Sequence, residues 1–81
     1  MLEELSNGKK VVGLKQSRRA VSEDRARKVF LACDAAPHIQ REIIALCGEH
    51  GVELESGVAM EQLGKACGVE VGTAVAALIK D

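Results

Sequence analysis

Short apolar runs alternate with helix-like stretches along this chain, and that alternation limits its fold more than any other feature. Residues 28–33 are apolar after the first position, as in a strand buried on both faces of a sheet. Pro37, a residue well tolerated in the first turn of a helix, follows shortly afterwards. Residues 52–56 then alternate between apolar and polar side chains, which predicts a half-exposed strand with Val52 and Leu54 inward.

The remaining elements follow from the same kind of pattern. The helix that begins at Pro37 has an apolar face widened by Ile44; its other members are Ile39, Ile43, Leu46 and Cys47. Leu2 and Leu5 favour a short first helix. We also predict a brief strand at 9–13, a polar helix at 14–23, a short helix at 60–67 and a buried strand at 73–79. The sequence therefore predicts one domain, residues 1–81, built as an α/β sandwich around one four-stranded sheet.

The charge of the chain is concentrated, although its total is only −1. From Lys9 to Lys28 there are eight basic and two acidic residues, a net of +6, and the remainder has three basic and ten acidic residues, a net of −7. Since the local field decides where a polyanion docks, the basic stretch favours a nucleic-acid partner, although a solvated face has the same pattern. Phe30 is the only aromatic residue, which disfavours RNA bases stacked on exposed rings.

Several classes of protein find no support in the sequence. The three cysteines are widely spaced and the two histidines complete no zinc-ligand pattern, so we expect reduced, mostly buried thiols, a cytoplasmic location and no metal. There is no P-loop motif, no signal or transit peptide and no apolar run long enough to span a bilayer. No nucleophile can be paired with a base, so we expect neither catalysis nor a cofactor.

The first of two glycine-bounded segments, which opens at Gly13, has the chemistry of a nucleic-acid-reading helix. Gly13 permits close approach, and a helix that starts after it directs unpaired N–H groups and a positive dipole end toward phosphate. Lys15 adds a mobile cation, and the amide of Gln16 can pair with a purine edge, a contact worth about 1–3 kcal/mol of discrimination. Arg18 and Arg19 can hold phosphates or guanine edges.

The second glycine-bounded segment is LGKACGVEVG, residues 63–72. It predicts the end of a helix followed by a loop with two exposed valines, Val69 and Val71, between glycines. Gly64 inside the helix costs about 1 kcal/mol relative to alanine, which indicates a close backbone approach. Valines in a loop are usually minor packing residues, and Lys65 is a weak candidate for a phosphate contact.

Together the two segments, GLKQSRRAV and LGKACGVEVG, resemble the small RNA-binding proteins of the ribosomal L-seven-Ae and L-thirty-e family, over about residues 9–79. The Lys15–Gln16 pair resembles the thirty-e branch and the small bacterial homologues of the Firmicutes type, whereas the archaeal branch usually has Asn-Glu there. Asp34 and Pro37 match a family pattern of an acid and then a proline, which we interpret as a structural strand-to-helix turn. The resemblance implies a three-layer α-β-α sandwich with a four-stranded mixed sheet.

The resemblance also implies a function. Members of the family bind kink-turn RNA, a sharply bent internal loop built on tandem sheared G·A pairs, and the helix after the first glycine enters its widened major groove. The valine loop packs against a nucleotide flipped out of the kink, because a flipped base needs an apolar surface; archaeal members often have arginine where Val71 stands. The expected RNA-binding residues are Gly13, Lys15, Gln16, Arg18, Arg19, Lys65, Val69, Glu70, Val71 and Gly72.

Two alternatives stay open at this point. Within the RNA-binding hypothesis, the partner is either ribosomal RNA or a riboswitch kink-turn. The protein is either a ribosomal component or a free factor, and the sequence slightly favours a free factor because it has no long basic tail. A protein-interaction module of the same fold, using the acidic remainder as its surface, is the competing hypothesis. We expect a monomer in either case.

Overall fold

The computed structural model describes Leu5, residues 8–69 and residues 71–80. Its elements in chain order are β1 (Lys10–Val12), α1 (Leu14–Ser22), β2 (Ala26–Ala32), α2 (Pro37–His50), β3 (Glu53–Val58), α3 (Met60–Cys67) and β4 (Val75–Ile79). The predicted alternation of strands and helices is confirmed throughout this part of the chain. Of the short helix expected around Leu2 and Leu5, only Leu5 lies among the described residues, where it is helical and buried.

The four strands form one mixed sheet in the order β1-β4-β2-β3. β4 runs antiparallel to both β1 and β2, whereas β2 and β3 are parallel and are connected by α2. The helices α1 and α2 pack against each other, and α3 contacts β2 and β4. The protein is a three-layer α-β-α sandwich, as the resemblance implied.

The two central strands, β2 and β4, form the middle of the core because each has a neighbouring strand on both sides and helices above and below. Every residue of β2 except Arg27 is buried, and β4 is buried as far as Leu78. Phe30 of β2 is the largest fully buried side chain. Strands covered on both faces have near-continuous apolar sequences, which is why the sequence of β2 predicted a buried strand.

Lys28 is the buried charged residue of this strand. Its Nζ lies 2.9 Å from Glu55 Oε1 and 3.4 Å from Glu53 Oε2, both on β3. The same atom lies 5.0 Å from the centre of the Phe30 ring. A buried ammonium group requires such partners because its desolvation is costly. The parallel pairing of β2 with β3 therefore supplies the carboxylates that compensate the charge of Lys28.

Several details differ from the sequence-based expectations. β2 begins at Ala26, earlier than predicted, and Cys33 lies beyond its end, exposed in a turn. β4 begins at Val75, because Thr73 belongs to the preceding loop, where its hydroxyl bonds to the backbone. Ile44 does not widen the apolar face of α2: it lies at the margin of that face and is 51% exposed.

The three thiols should differ in reactivity. Cys33 is exposed, Cys47 and Cys67 are buried, and burial raises the pKa of both buried thiols. Because the thiolate is the reactive form, brief treatment of the native protein with iodoacetamide should modify Cys33 first. Peptide mass spectrometry would measure this, and in concentrated urea all three should react at similar rates. Equal rates in the native protein would contradict the burial of the other two.

Candidate nucleic-acid interface

The two glycine-bounded segments, far apart in sequence, meet at one end of the sheet. β1 ends next to the start of β4, because the strands are antiparallel and Val12 pairs with Ala76. The carbonyl oxygen of Val75 accepts a 2.9 Å hydrogen bond from the N–H of Gly13 and a 3.1 Å hydrogen bond from the hydroxyl of Thr73. One carbonyl group therefore connects the start of α1 to the loop that precedes β4.

Gly13 sets the geometry at the start of α1. Its φ of 102° is one that residues with side chains rarely adopt, and nothing lies within 4 Å of the position a Cβ would occupy. No side chain caps this helix, and the N–H of Ser17 donates to the carbonyl of Gly13. The N–H groups of residues 14–16 precede that first helical bond and lie at the positive end of the helix, which suits a phosphate.

Lys15 and Gln16 are the side chains best placed to contact a ligand at this helix end. Both are exposed, and neither forms a hydrogen bond or ion pair with another described residue. The opposite face of α1 is anchored by Ser17, Ala20 and Val21, all of them buried. The helical face predicted from the sequence is thus confirmed, and it leaves the ammonium and the amide directed away from the core.

Arg18 and Arg19 are held by acidic side chains. Arg18 Nε lies 2.7 Å from Glu42 Oε2 on α2, and Arg19 Nε lies 3.2 Å from Glu23 Oε2. Glu23 is shared, since its other oxygen accepts a 2.8 Å hydrogen bond from Arg25 Nε. Hydrogen bonds from Arg19 and then Arg25 lower the pKa of Glu23 below its ordinary value. A phosphate at either predicted arginine must therefore compete with a carboxylate.

The loop after α3 is folded back onto that helix. Gly68 ends α3 in a left-handed conformation (φ 80°), and the N–H of Val69 donates a 3.0 Å hydrogen bond to the carbonyl of Gly64. A Cβ at Gly64 would overlap the carbonyl oxygen of Val71. The close backbone approach predicted at Gly64 is confirmed, and it explains why glycine stands inside a helix.

This loop presents one large apolar side chain to solvent. Val71 is 75% exposed, whereas Val69 is half-buried, so only Val71 matches the predicted exposed pair fully. Lys65 is exposed nearby, with its Nζ 3.7 Å from Glu61 Oε1, a distance at which a surface ion pair is weak. Glu70 lies outside the described residues. The loop tip thus combines an exposed valine with a loosely held lysine.

Two side chains that the sequence interpretation did not place at the interface hold the turn after β2. Asp34 Oδ1 accepts a 2.8 Å hydrogen bond from the N–H of Met60, the first residue of α3. Gln40 Nε2 donates to the carbonyl oxygens of Ala35 at 2.7 Å and Cys33 at 3.3 Å. The interpretation of Asp34 as a turn residue was incomplete, because no local pattern marks a partner 26 residues away.

The basic stretch does not form a single patch. The N–H of Ile79 donates to the carbonyl of Lys9, and the N–H of Lys80 donates to the carbonyl of Arg25. Lys9 and Arg25 of the basic stretch therefore lie, together with Lys80, at the end of the sheet opposite Gly13. The positive charge next to the uncapped end of α1 is smaller than the sequence implied, so any ligand there must be held by positioned groups more than by a strong field.

Other kinds of site receive no support from the part of the chain that the structure describes. Its histidine, cysteine and carboxylate side chains do not gather in groups of three or more that could hold a metal ion. None of the helices there is long and apolar enough to cross a membrane. The fold and the described surface define a small α/β sandwich with an uncapped helix end, an adjacent cation and amide, and an apolar loop tip.

The chain belongs to the Ribosomal protein L7Ae/L30e/S12e/Gadd45 family, whose model matches residues 2–81. It is 41% identical over 76 residues to an RNA-binding protein of Geobacillus sp. (strain WCH70), covering 94% of this chain and 93% of that protein. It is 39% identical over 69 residues to RNA-binding protein TTE2299 of Caldanaerobacter subterraneus subsp. tengcongensis. This match covers 85% of this chain and 84% of that protein. These relatives are bacterial proteins of the Firmicutes type, as the Lys15–Gln16 pair indicated.

The same fold is present in a solved structure of an RNA-binding protein. A Giardia lamblia 15.5kD RNA binding protein matches with a TM-score of 0.91 and 28% sequence identity. The match covers 99% of this chain and 71% of the Giardia protein. The family and the fold inferred from the sequence are both confirmed by these comparisons.

Two helical glycines offer a matched test of the loop contact. Gly64→Ala should lower the free energy of unfolding by about 1–3 kcal/mol, because the new methyl group overlaps the Val71 carbonyl and overpacking costs this much. Gly48, inside α2, has nothing within 4 Å of a Cβ, so Gly48→Ala should raise that free energy by about 0.5–1 kcal/mol. Urea denaturation measures both, and effects of the same sign would contradict the contact.

The shared carboxylate of Glu23 gives a pH-dependent prediction. A carboxyl with a lowered folded-state pKa contributes stability above its unfolded pKa, and this stability is lost as the pH falls through the folded pKa. Arg19→Ala should raise the Glu23 pKa toward its ordinary value, as followed by NMR titration of the carboxyl carbon. Lys15→Ala, on the same helix, is the control and should leave it unchanged. A Glu23 pKa that does not respond to Arg19→Ala would refute the pairing.

Proposed function

We propose that residues 1–81 form one non-catalytic RNA-binding domain that recognises kink-turn RNA. α1 enters the widened major groove, where Gln16 pairs with purine edges of the sheared G·A pairs and Lys15 and Arg19 contact neighbouring phosphates. The Val69–Val71 loop packs against the nucleotide flipped out of the kink. The protein acts as a cytoplasmic monomer on ribosomal RNA or a riboswitch kink-turn.

The observation that carries this proposal is the combination of features at one end of the sheet. Lys15 and Gln16 are exposed and without partners among the described residues, at a helix end that no side chain caps. The exposed side chain of Val71 belongs to the loop that the Val75 carbonyl connects to this helix. A cation, an amide and an apolar tip on one rigid frame suit a ligand that offers phosphate, a base edge and an unstacked base together.

The shape of RNA explains why a kinked target fits better than a duplex. An A-form duplex hides its base edges in a deep, narrow major groove that side chains cannot read. A short polar helix such as α1 therefore needs RNA whose groove has been opened by pairs other than Watson–Crick pairs. An unstacked nucleotide loses its neighbours in the duplex, and an apolar surface such as Val71 compensates part of that loss.

The relatives support RNA as the class of ligand. The Geobacillus, Caldanaerobacter and Giardia proteins are each named as RNA-binding, and the family takes its name from ribosomal proteins. Recognition of the kink itself rests on the side chains of this chain, chiefly the pair Lys15–Gln16 and the loop around Val71. Both a stoichiometric ribosomal protein and a ribosome-associated or free factor agree with these features.

A protein-interaction module of the same fold is the alternative, and Ile44 favours it. This side chain is a large apolar group on α2 that is exposed to solvent. The two functions differ in salt dependence. As the salt concentration rises, RNA binding weakens steeply because the release of counterions becomes less favourable, whereas a largely apolar protein contact changes much less. Under the RNA proposal, Ile44→Ser leaves RNA affinity unchanged.

Two variants and one control test the roles of Lys15 and Gln16 on α1. Gln16→Ala should weaken binding to a kink-turn hairpin by about tenfold or more and reduce its preference over a Watson–Crick control hairpin. Lys15→Ala should weaken binding to both RNAs and lower the salt slope by about one unit. Lys80→Ala is the control: it removes the same charge at the opposite end of the sheet and should change RNA affinity and the salt slope little. Calorimetry at several salt concentrations makes these comparisons.

Equal losses of RNA affinity in the Lys15→Ala and Lys80→Ala proteins would show that the basic residues attract RNA only nonspecifically. A Gln16→Ala protein that keeps full preference for the kinked hairpin would refute the role of Gln16 in reading the G·A pairs.

A further inference from the structure

Asp34 caps a helix to which it does not belong. Its Oδ1 accepts a 2.8 Å hydrogen bond from the N–H of Met60, the first residue of α3. The residue at the N-cap position is Ala59, whose methyl side chain cannot accept a hydrogen bond. The carboxylate thus binds the first N–H group of α3 from the turn after β2, while within α3 the Gln62 Oε1 accepts a 3.3 Å hydrogen bond from the N–H of Ala59. The Asp34 carboxylate also places a negative charge at the helix end where such a charge is favourable.

Met60 transmits this restraint to the valine loop. Its carbonyl oxygen accepts a 3.1 Å hydrogen bond from the N–H of Thr73. Gly72 lies so close that a Cβ there would stand 3.1 Å from the carbonyl carbon of Met60. The same residue is therefore held through its N–H by Asp34 and supports the end of the loop through its carbonyl group.

The rest of the loop depends on the same helix. The N–H of Val69 is bonded to the carbonyl of Gly64, and the carbonyl of Val71 lies against the Cα of Gly64. The loop that carries the exposed Val71 is thus supported at several points by the helix whose first N–H group Asp34 binds.

We propose that Asp34 is a positioning residue for RNA binding, whose carboxylate fixes the first turn of α3 and so holds the Val69–Val71 loop where RNA meets it. This inference rests on the proposed function. Asp34 acts through Met60 and does not itself contact RNA. The proposal makes a prediction opposite in sign to simple electrostatics, in which removing an acid beside a polyanion strengthens binding.

The test compares two substitutions of Asp34 by calorimetry with a kink-turn hairpin. Asp34→Ala removes the cap and should weaken binding by about five- to tenfold, because RNA must then restore a loop position that the cap no longer stabilises in the free protein. Asp34→Asn keeps an oxygen that can accept the Met60 N–H and removes the charge, so it should bind as tightly as the wild-type protein or more tightly.

A matched control is available at the other end of the molecule. Asp24 is also exposed, and its Oδ1 also pairs with a residue 26 positions away, at 2.9 Å from His50 Nδ1. Asp24→Asn makes the same change of charge and should leave the preference for kinked RNA unchanged. A loss in this control comparable to that of Asp34→Ala would show that the loss does not depend on the hydrogen bond to Met60 and would overturn the proposal.

Amide hydrogen exchange in the free protein provides a readout that does not involve RNA. In Asp34→Ala the amides of Val69 and Thr73 should lose more protection than those of β2, which lose only what the lower global stability removes. Uniformly faster exchange that includes β2 would mean a general loss of stability and would overturn a specific role for Asp34 in positioning the loop.

The remaining outcomes also decide between the two hypotheses. Tighter or unchanged binding by Asp34→Ala, or unchanged exchange at Thr73, would overturn the proposal while leaving the proposed function intact. A wild-type protein that binds neither hairpin would refute the proposed function, and faster exchange at Thr73 in Asp34→Ala would then still support the role of Asp34 in holding the loop.

Discussion

The carbonyl group of Val75 is the point on which the candidate interface depends. It accepts hydrogen bonds from the N–H of Gly13 and from the hydroxyl of Thr73, and it lies at the start of a central, buried strand. The antiparallel pairing of β1 with β4 fixes its position, so the start of α1 and the valine loop cannot shift independently. A ligand that contacts both meets a preorganised surface and pays little for ordering it.

The charges of the protein favour recognition by individually placed side chains over attraction by a large positive patch. Arg18, Arg19 and Arg25 each pair with a carboxylate, and the basic residues divide between the two ends of the sheet. A strong general attraction for any RNA is therefore not built into the described surface. Lys15 and Gln16 have no partners among the described residues, so under the proposed function they contact RNA without first breaking an ion pair, as Arg19 must.

Patterns that depend on one element could be read from the sequence, and contacts between elements could not. The buried run of β2, the anchored face of α1 and the close approach at Gly64 follow from periodicity or from the cost of glycine in a helix. The hydrogen bond from Met60 to Asp34 joins positions with no local relationship. The exposure of Ile44 and Cys33 likewise depends on how neighbouring elements end and pack, which periodicity alone does not determine.

The most direct test of the central claim is a pair of calorimetric titrations with the wild-type protein. One uses a kink-turn hairpin, and the other uses the same hairpin with its sheared G·A pairs replaced by Watson–Crick pairs. Structure-specific recognition predicts binding to the first that is tighter by about a hundredfold or more, since duplex RNA hides the edges that Gln16 reads. Equal, weak and salt-sensitive binding to both would contradict it, and no binding to either would favour the protein-interaction alternative.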